Sequence, residues 1–150
     1  MKILNTFPPN YDLIQIALDP EPHAIFCYGD TIYNPSGREI TPDVEFHEEI
    51  HMRQQGNDIN GWYTQYLQDP QFRLEQELEA YGEQYKYAKE RIDAMDELAT
   101  EQGKKLQVGK NKLLTWGLES MALALAGVSY GNLISFGEAK SKIRNYALHQ

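Results

Sequence analysis

The chain has 150 residues, of which 41% are hydrophobic; this length supplies one hydrophobic core and is short for two, so we expect a single domain over residues 1–150. The 22 acidic side chains outnumber the 14 basic ones, and the net charge of −8 disfavours nucleic acid and anionic membrane surfaces as partners. The single cysteine, Cys27, cannot form an internal disulfide, and prolines interrupt the N-terminal residues before the apolar core of a signal peptide. We therefore expect a cytoplasmic protein.

The first predicted element is a short sheet. Residues 24–33, AIFCYGDTIY, are rich in aromatic and β-branched side chains, and Gly29-Asp30 interrupts them. The sequence NPSG that follows, at residues 34–37, is typical of a turn. These residues predict a small β-hairpin or sheet.

Two helices are predicted from a capping residue placed directly before a proline, at Thr41-Pro42 and at Asp69-Pro70. The second of these helices is predicted to be long and to end by Gly103. The reason is a stripe of apolar residues at three- and four-residue spacing, formed by Leu74, Leu78, Tyr81, Tyr85, Ala88 and Ile92.

The C-terminal third predicts two more helices. After a basic segment, GKKLQVGKNK, expected to be a solvated loop, an apolar helix is predicted from about residue 111 to 126. The most apolar segment, residues 113–128, is too short to cross a bilayer and carries Glu119 and Ser120. A last helix begins at Ser135, where Glu138 completes a capping-box pattern. The predicted fold class is therefore α+β and mostly helical.

The segment TPDVEFHEEIHMRQQ, residues 41–55, places two histidines on the first of the capped helices. Residues four apart lie on nearly the same helix face, so His47 and His51 can bind one cation through their ring nitrogens. Glu48 lies about 100° around the helix from His47, within reach of a metal-bound water, whereas Glu49 at about 200° faces away. The sequence HEEIH matches the His-Glu-x-x-His motif typical of zinc metalloproteases. The alternative interpretation is a solvated helix that carries two unrelated histidines.

A catalytic zinc site needs a third protein ligand, and the long helix offers several carboxylates. With Glu77 at zero on a helical wheel, the Leu and Tyr stripe lies within about 100° on one side, while Glu75, Glu79 and Glu83 lie about 160° to 240° away. Glu77 is the candidate third ligand, because an inward-facing carboxylate needs a positive partner. A buried ion pair with Arg73 is the alternative.

On these residues the chain resembles the gluzincin clan of zinc metallopeptidases, in which His-Glu-x-x-His, here HEEIH, is completed by the first Glu of Glu-x-x-Ala, here ELEA. The resemblance covers about residues 24–85 and implies a zincin-like fold, with a short sheet before the histidine helix and an edge strand that lies alongside the substrate. The chain also resembles small peptidases encoded by bacteriophages and prophages, which implies the cytoplasm of a bacterial host. Tyr81 stands where several gluzincin families carry an Asp that supports the histidines, so that support is unassigned.

The resemblance implies a zinc-dependent peptidase that acts on a peptide or protein substrate. Zinc held by His47, His51 and Glu77 lowers the pKa of its water towards about 7, and Glu48, as general base, accepts the proton and passes it to the leaving amine. The developing oxyanion needs a hydrogen-bond donor. Tyr130, in the SYGN loop, is the preferred candidate among ten tyrosines, and a packed aromatic at a helix end is the alternative reading of that residue.

The alternative function is a non-catalytic zinc-binding protein, such as a phage accessory or interaction protein, in which the metal stabilises the fold. An open coordination position beside a groove distinguishes the two, because structural zinc is normally closed by four protein ligands. His23 and His149 are expected to be exposed, and Cys27 to be a buried strand residue rather than a nucleophile. Gln54, on the histidine face, has either a role at the site or a capping or surface role. The substrate preference and the oligomeric state are left open.

Overall fold

A computed structural model describes residues 1–101, 107–127 and 133–149, in which helices predominate over a small sheet. The fold class is α+β and mostly helical, as predicted. The strands are β1 (Lys2–Leu4), β2 (Phe26–Tyr28) and β3 (Thr31–Tyr33), and the helices are α1 (Tyr11–Leu18), α2 (Pro42–Gln55), α3 (Ile59–Gln68), α4 (Pro70–Glu101), α5 (Gln107–Leu125) and α6 (Phe136–Leu148). Within the described ranges, no helix is both long and apolar enough to cross a membrane.

The predicted hairpin forms between β2 and β3, which pair in antiparallel fashion with Cys27 opposite Ile32. Gly29 adopts a φ of 60° in the turn between them, a conformation that favours glycine. Strand β1, which no sequence pattern predicts, pairs in parallel with β3 and gives the strand order β1-β3-β2. Strand β2 is therefore an edge strand of this sheet.

The predicted starts of α2, α4 and α6 are confirmed, with one difference in how a cap works. Helix α2 begins after Thr41, whose backbone is extended as an N-cap requires, but its side chain makes no capping hydrogen bond. At the start of α4, Asp69 Oδ1 accepts hydrogen bonds from two first-turn amides, at 2.9 and 3.2 Å. The capping box of Ser135 and Glu138 at α6 is complete.

Helix α5 begins at Gln107, four residues before the predicted start, so the described part of the basic segment is helical rather than a solvated loop. The reason lies in the acidic end of α4. Lys110 Nζ forms ion pairs with Asp93 and, at 3.3 Å, with Asp96, and these pairs hold the first turn of α5 against α4.

The described residues form two hydrophobic clusters. Helices α4, α5 and α6 share the larger one, formed by Leu74, Tyr85, Leu118, Met121, Ala122, Leu125, Ala139 and Ile143. The smaller cluster, built on Ile14, Trp62 and Tyr63, joins α1 and α3 to β2. Helix α2 contacts α4, α3 and β2, so its position is fixed from three directions.

Candidate metal centre

Helix α2 buries one face that carries both histidines and the intervening glutamate. His47, Glu48 and His51 are 7%, 6% and 7% exposed. Glu49 lies on another side of the helix, where it forms an exposed i,i+4 ion pair with Arg53 (3.8 Å). The α2 face that HEEIH predicts is therefore the face that the fold buries.

Glu77 of α4 meets the two histidines. Its side chain is 3% exposed, whereas Glu75 and Glu79 are exposed, as the helical phase predicts. The Glu77 carboxylate lies 3.5 Å from His47 Nε2 and 3.3 Å from His51 Nε2. The two Nε2 atoms are 3.0 Å apart, so three donor groups converge on one point.

These spacings match the size of one metal ion. Zinc bonds to imidazole nitrogen and carboxylate oxygen are about 2.0–2.2 Å long, which places the donor atoms of a tetrahedral site roughly 3.3–3.6 Å apart. The two distances from Glu77 to the histidines, 3.5 and 3.3 Å, lie in this range, and the 3.0 Å between the Nε2 atoms is slightly shorter. The structure thus contains a buried group of His47, His51 and Glu77 that could hold a metal ion.

The charges of this group stabilise each other. Burial by itself raises the pKa of Glu77, but the charge of His51 and the hydrogen bonds from both histidines hold that pKa well below its usual range. Burial by itself lowers the pKa of His51, yet the Glu77 carboxylate raises it to about 9. An ionised carboxylate is therefore held beside the two rings, in an environment that favours positive charge.

Two glutamines accept hydrogen bonds from the Nδ1 atoms of the histidine rings and so fix the ring orientations. His47 Nδ1–H donates to Gln84 Oε1 (3.1 Å), and His51 Nδ1–H donates to Gln54 Oε1 (2.8 Å). With the Nδ1 proton held by the glutamine, Nε2 is the ring nitrogen that faces Glu77, and it offers its lone pair to a metal that displaces the Nε2 proton. Gln54 therefore contacts the metal-binding group directly, in line with the first of the two alternatives left by the sequence. Gln84 is missed by the sequence reasoning, although it lies seven residues after Glu77, two turns along the same helix face.

Both glutamines are themselves held by hydrogen bonds. Gln84 Nε2 donates to Asp43 Oδ2 (2.8 Å), and Gln54 Nε2 donates to the Gln76 carbonyl (2.9 Å) and to Glu79 Oε2 (3.0 Å). These contacts orient the amides, so that their oxygens and not their nitrogens face the histidines. Each histidine ring is thus hydrogen-bonded to a neutral amide. The carboxylates of Asp43 and Glu79 contact that amide and not the ring.

Two tyrosines complete the surroundings of the group. The Tyr81 ring, at the position where the resemblance would place an Asp, packs on the His47 ring with 4.6 Å between centroids. The Tyr66 hydroxyl donates a short hydrogen bond to Glu77 Oε1. Tyr66 was missed because no sequence pattern predicts α3. The buried Arg73, the alternative partner considered for Glu77, donates to the Tyr66 carbonyl (2.6 Å).

The group opens onto a cavity of ≈ 580 Å³, which Glu48 also lines. Burial raises the pKa of Glu48, and the neighbouring His47 and His51 act against that rise. A cation held by the three donors would act in the same direction as the histidines, because positive charge favours the ionised carboxylate. Apolar residues from β2, α1, α2 and α5 form much of the remaining wall: Phe26, Ile14, Leu18, Val44 and Leu123.

The other sequence candidates lie apart from this group or outside the described residues. Tyr130 falls outside the described residues. His23 and His149 are exposed, as expected. Cys27 is buried in β2 and its thiol faces the Gly29 carbonyl; burial raises the pKa of Cys27 to about 12, which removes the thiolate that a nucleophile needs.

Comparison of the chain with protein-family models, with characterised proteins and with solved structures finds no significant match. The functional argument therefore rests on the geometry and chemistry of the site.

Proposed function

We propose that this protein is a zinc-dependent peptidase of the zincin type, in which His47, His51 and Glu77 bind Zn²⁺ and Glu48 is the general base. The observation that carries the proposal is the convergence of two Nε2 atoms and one carboxylate, all within 3.5 Å, beside the buried Glu48. Strand β2 supports a zincin-like arrangement, because an edge strand borders the same cavity just before the histidine helix.

The donor set favours zinc over the hard cations. Imidazole nitrogen suits Zn²⁺ and other late transition metals, whereas Mg²⁺ and Ca²⁺ take oxygen ligands. Two histidines and one glutamate are the protein ligands of thermolysin-type catalytic sites, whose fourth position is left for water or substrate. Among the described residues, the metal-binding group consists of these three side chains. This ligand count favours catalysis over a purely structural metal.

A zinc ion bound there supplies a Lewis acid, which polarises a carbonyl and lowers the pKa of water. A Glu48 carboxylate oxygen takes a proton from the attacking water as the water oxygen bonds to the peptide carbonyl carbon. Glu48 then gives this proton to the amide nitrogen as the C–N bond breaks. Gln54 and Gln84 keep the histidine rings in the ligating tautomer, and the Tyr66 hydroxyl, which donates to Glu77 Oε1, orients the carboxylate ligand.

The edge strand offers a place for an extended substrate. The Cys27 carbonyl already accepts hydrogen bonds from Gln55 Nε2 (2.8 Å) and Tyr63 Oη (2.6 Å). A substrate that pairs with this edge is therefore expected to do so upstream, along residues 24–26, which line the cavity. Peptide or protein is the substrate class that this strand suits, and the bacterial or phage-host cytoplasm remains the proposed compartment.

The test compares Glu48→Gln with Glu49→Gln, its neighbour on the exposed side of α2. Zinc content is measured by elemental analysis, and cleavage by mass spectrometry on a peptide library. We expect Glu48→Gln to retain about one zinc per chain and to lose cleavage, because the amide keeps the size of the side chain and removes the proton acceptor. The Glu49→Gln variant should retain both.

Two outcomes would contradict the proposal. Loss of zinc from Glu48→Gln would make Glu48 a ligand rather than a base. A zinc-loaded wild type that cleaves no peptide or protein substrate would favour the alternative, a non-catalytic zinc-binding accessory or interaction protein.

A further inference from the structure

We infer that Arg38 determines substrate specificity by binding a carboxylate of the substrate in the cavity beside Glu48. This inference rests on the proposed peptidase function and adds a substrate class to it. Arg38 lies on the segment between β3 and α2, nine residues before His47, and this exposed residue is among those that line the same cavity as the metal-binding group.

The backbone that carries Arg38 is held in place. The buried Asn34 donates from Nδ2 to the Arg38 carbonyl (2.7 Å), and the Gly37 amide donates to the Asn34 carbonyl (3.0 Å). Gly37 has a φ of 64°, which favours glycine at this turn. Ser36 Oγ accepts from the Arg38 amide (3.4 Å). The side chain of Arg38 thus projects from a structured turn rather than from a free loop.

The guanidinium group of Arg38 is available to a ligand. Across the described residues, no carboxylate lies within 4.0 Å of it, although the cavity is also lined by Glu21, Glu48 and Glu77. Apart from the two histidines of the metal-binding group, Arg38 is the basic residue among the described cavity-lining side chains. Its charge reaches Glu48, where it lowers the pKa of that carboxyl against the larger effect of burial.

The charge balance makes a substrate carboxylate the fitting ligand. The chain has a net charge of −8, and Glu77 is already paired with the histidines and the proposed metal. Glu21 and Glu48 still disfavour an anionic substrate in the cavity unless a further cation compensates for them. Guanidinium binds carboxylate through two parallel hydrogen bonds, so Arg38 supplies both charge and orientation. The apolar wall formed by Ile14, Leu18 and Phe26 suits an apolar side chain near that carboxylate. The substrate class is therefore a peptide with an apolar residue next to a free C-terminal or side-chain carboxylate.

The test uses peptide pairs that differ only in one carboxylate. In the first pair, a peptide ending in phenylalanine is a free acid or an amide; in the second, an internal Glu is replaced by Gln. Binding is measured on two zinc-loaded proteins, Glu48→Gln and the double variant that adds Arg38→Met. The kcat/KM is measured separately on wild type and on Arg38→Met. Arg53→Met, an exposed arginine on α2, is the control for general loss of charge.

We expect the carboxylate form of at least one pair to be preferred roughly tenfold, the low end for a charge-assisted hydrogen bond at a partly solvated site, and the preference to fall to about one in Arg38→Met. The effect should appear in KM more than in kcat, and should weaken as salt is raised. The pair that responds identifies the source of the carboxylate. The inference would be overturned if the proteins with Arg38 and with Arg38→Met preferred the carboxylate peptide equally. It would also be overturned if neither protein showed a preference. Carboxylate-dependent binding without any cleavage would instead support Arg38 and contradict the peptidase proposal.

Discussion

Replacing Gln84 by leucine tests how the metal-binding group is held together. Gln84 Oε1 accepts the hydrogen bond from His47 Nδ1 (3.1 Å), and leucine has a similar volume but no acceptor. The His47 ring then loses the contact that keeps its proton on Nδ1, and the tautomer protonated at Nε2 cannot bind a metal through that atom. We expect zinc affinity to fall.

The magnitude follows from the buried position of the contact. Gln84 is 6% exposed and His47 is 7% exposed, so solvent does not replace the lost acceptor efficiently. Loss of such a supporting partner reduces metal affinity by about 10- to 100-fold, which corresponds to roughly 1.4–2.7 kcal/mol. Part of the cost of the unpaired donor also falls on the metal-free protein, so the free energy of unfolding should decrease as well.

The assay is a competitive titration with a chromogenic zinc chelator at fixed pH, with circular dichroism to confirm the fold. Gln71→Leu, an exposed glutamine on the same helix, is the matched control and should bind zinc as wild type does. The double variant Asp43→Asn with Gln84→Glu reverses the Gln84 Nε2 to Asp43 contact and keeps an acceptor for His47. It should restore the affinity. A folded Gln84→Leu protein with unchanged zinc affinity would refute the supporting role of Gln84.

Two further predictions concern a ligand and the packing of the long helix. Glu77→Gln should lower zinc affinity by at least about 10-fold, because a poor neutral ligand replaces a charged one, whereas Glu75→Gln on the exposed side of α4 should match wild type in the same titration. Gly82→Ala should reduce the free energy of unfolding by about 1–3 kcal/mol, since a Cβ there would overlap the Tyr146 side chain of α6. Thermal melts should show this as a fall of about 2–4 °C per kcal/mol. Gly117→Ala is the control, because its added Cβ would meet no described heavy atom within 4 Å, and it should stabilise α5 by about 0.5–1 kcal/mol. Equal melting shifts for the two glycine variants would contradict the close approach of α4 and α6.

The elements that could be predicted from the sequence are those with strong local signals. The proline-marked starts at Pro42 and Pro70 and the capping box at Ser135 depend on neighbouring residues alone, and the structure confirms them. The burial of Glu77 followed from helical phase, because the apolar stripe of α4 is long enough to fix that phase.

The elements that were missed are short or depend on distant partners. Strand β1 has three residues and gains its hydrogen bonds from β3, 29 positions later in the chain, so no local pattern marks it. Helix α3 contains Asn60 and Gly61 in its first turn, which weakens a helical pattern. The bond between Gln84 and His47 joins residues 37 positions apart and exists only because α4 packs on α2. The outer contacts of the site are therefore a consequence of tertiary packing.

The most direct measurement is an anomalous-difference map at the zinc absorption edge, from crystals of protein expressed with zinc. The account predicts one peak bonded to His47 Nε2, His51 Nε2 and the Glu77 carboxylate at about 2.0–2.2 Å, with a non-protein ligand completing the coordination on the side of the cavity. A peak elsewhere, no peak at all, or a fourth protein ligand closing the site would contradict it.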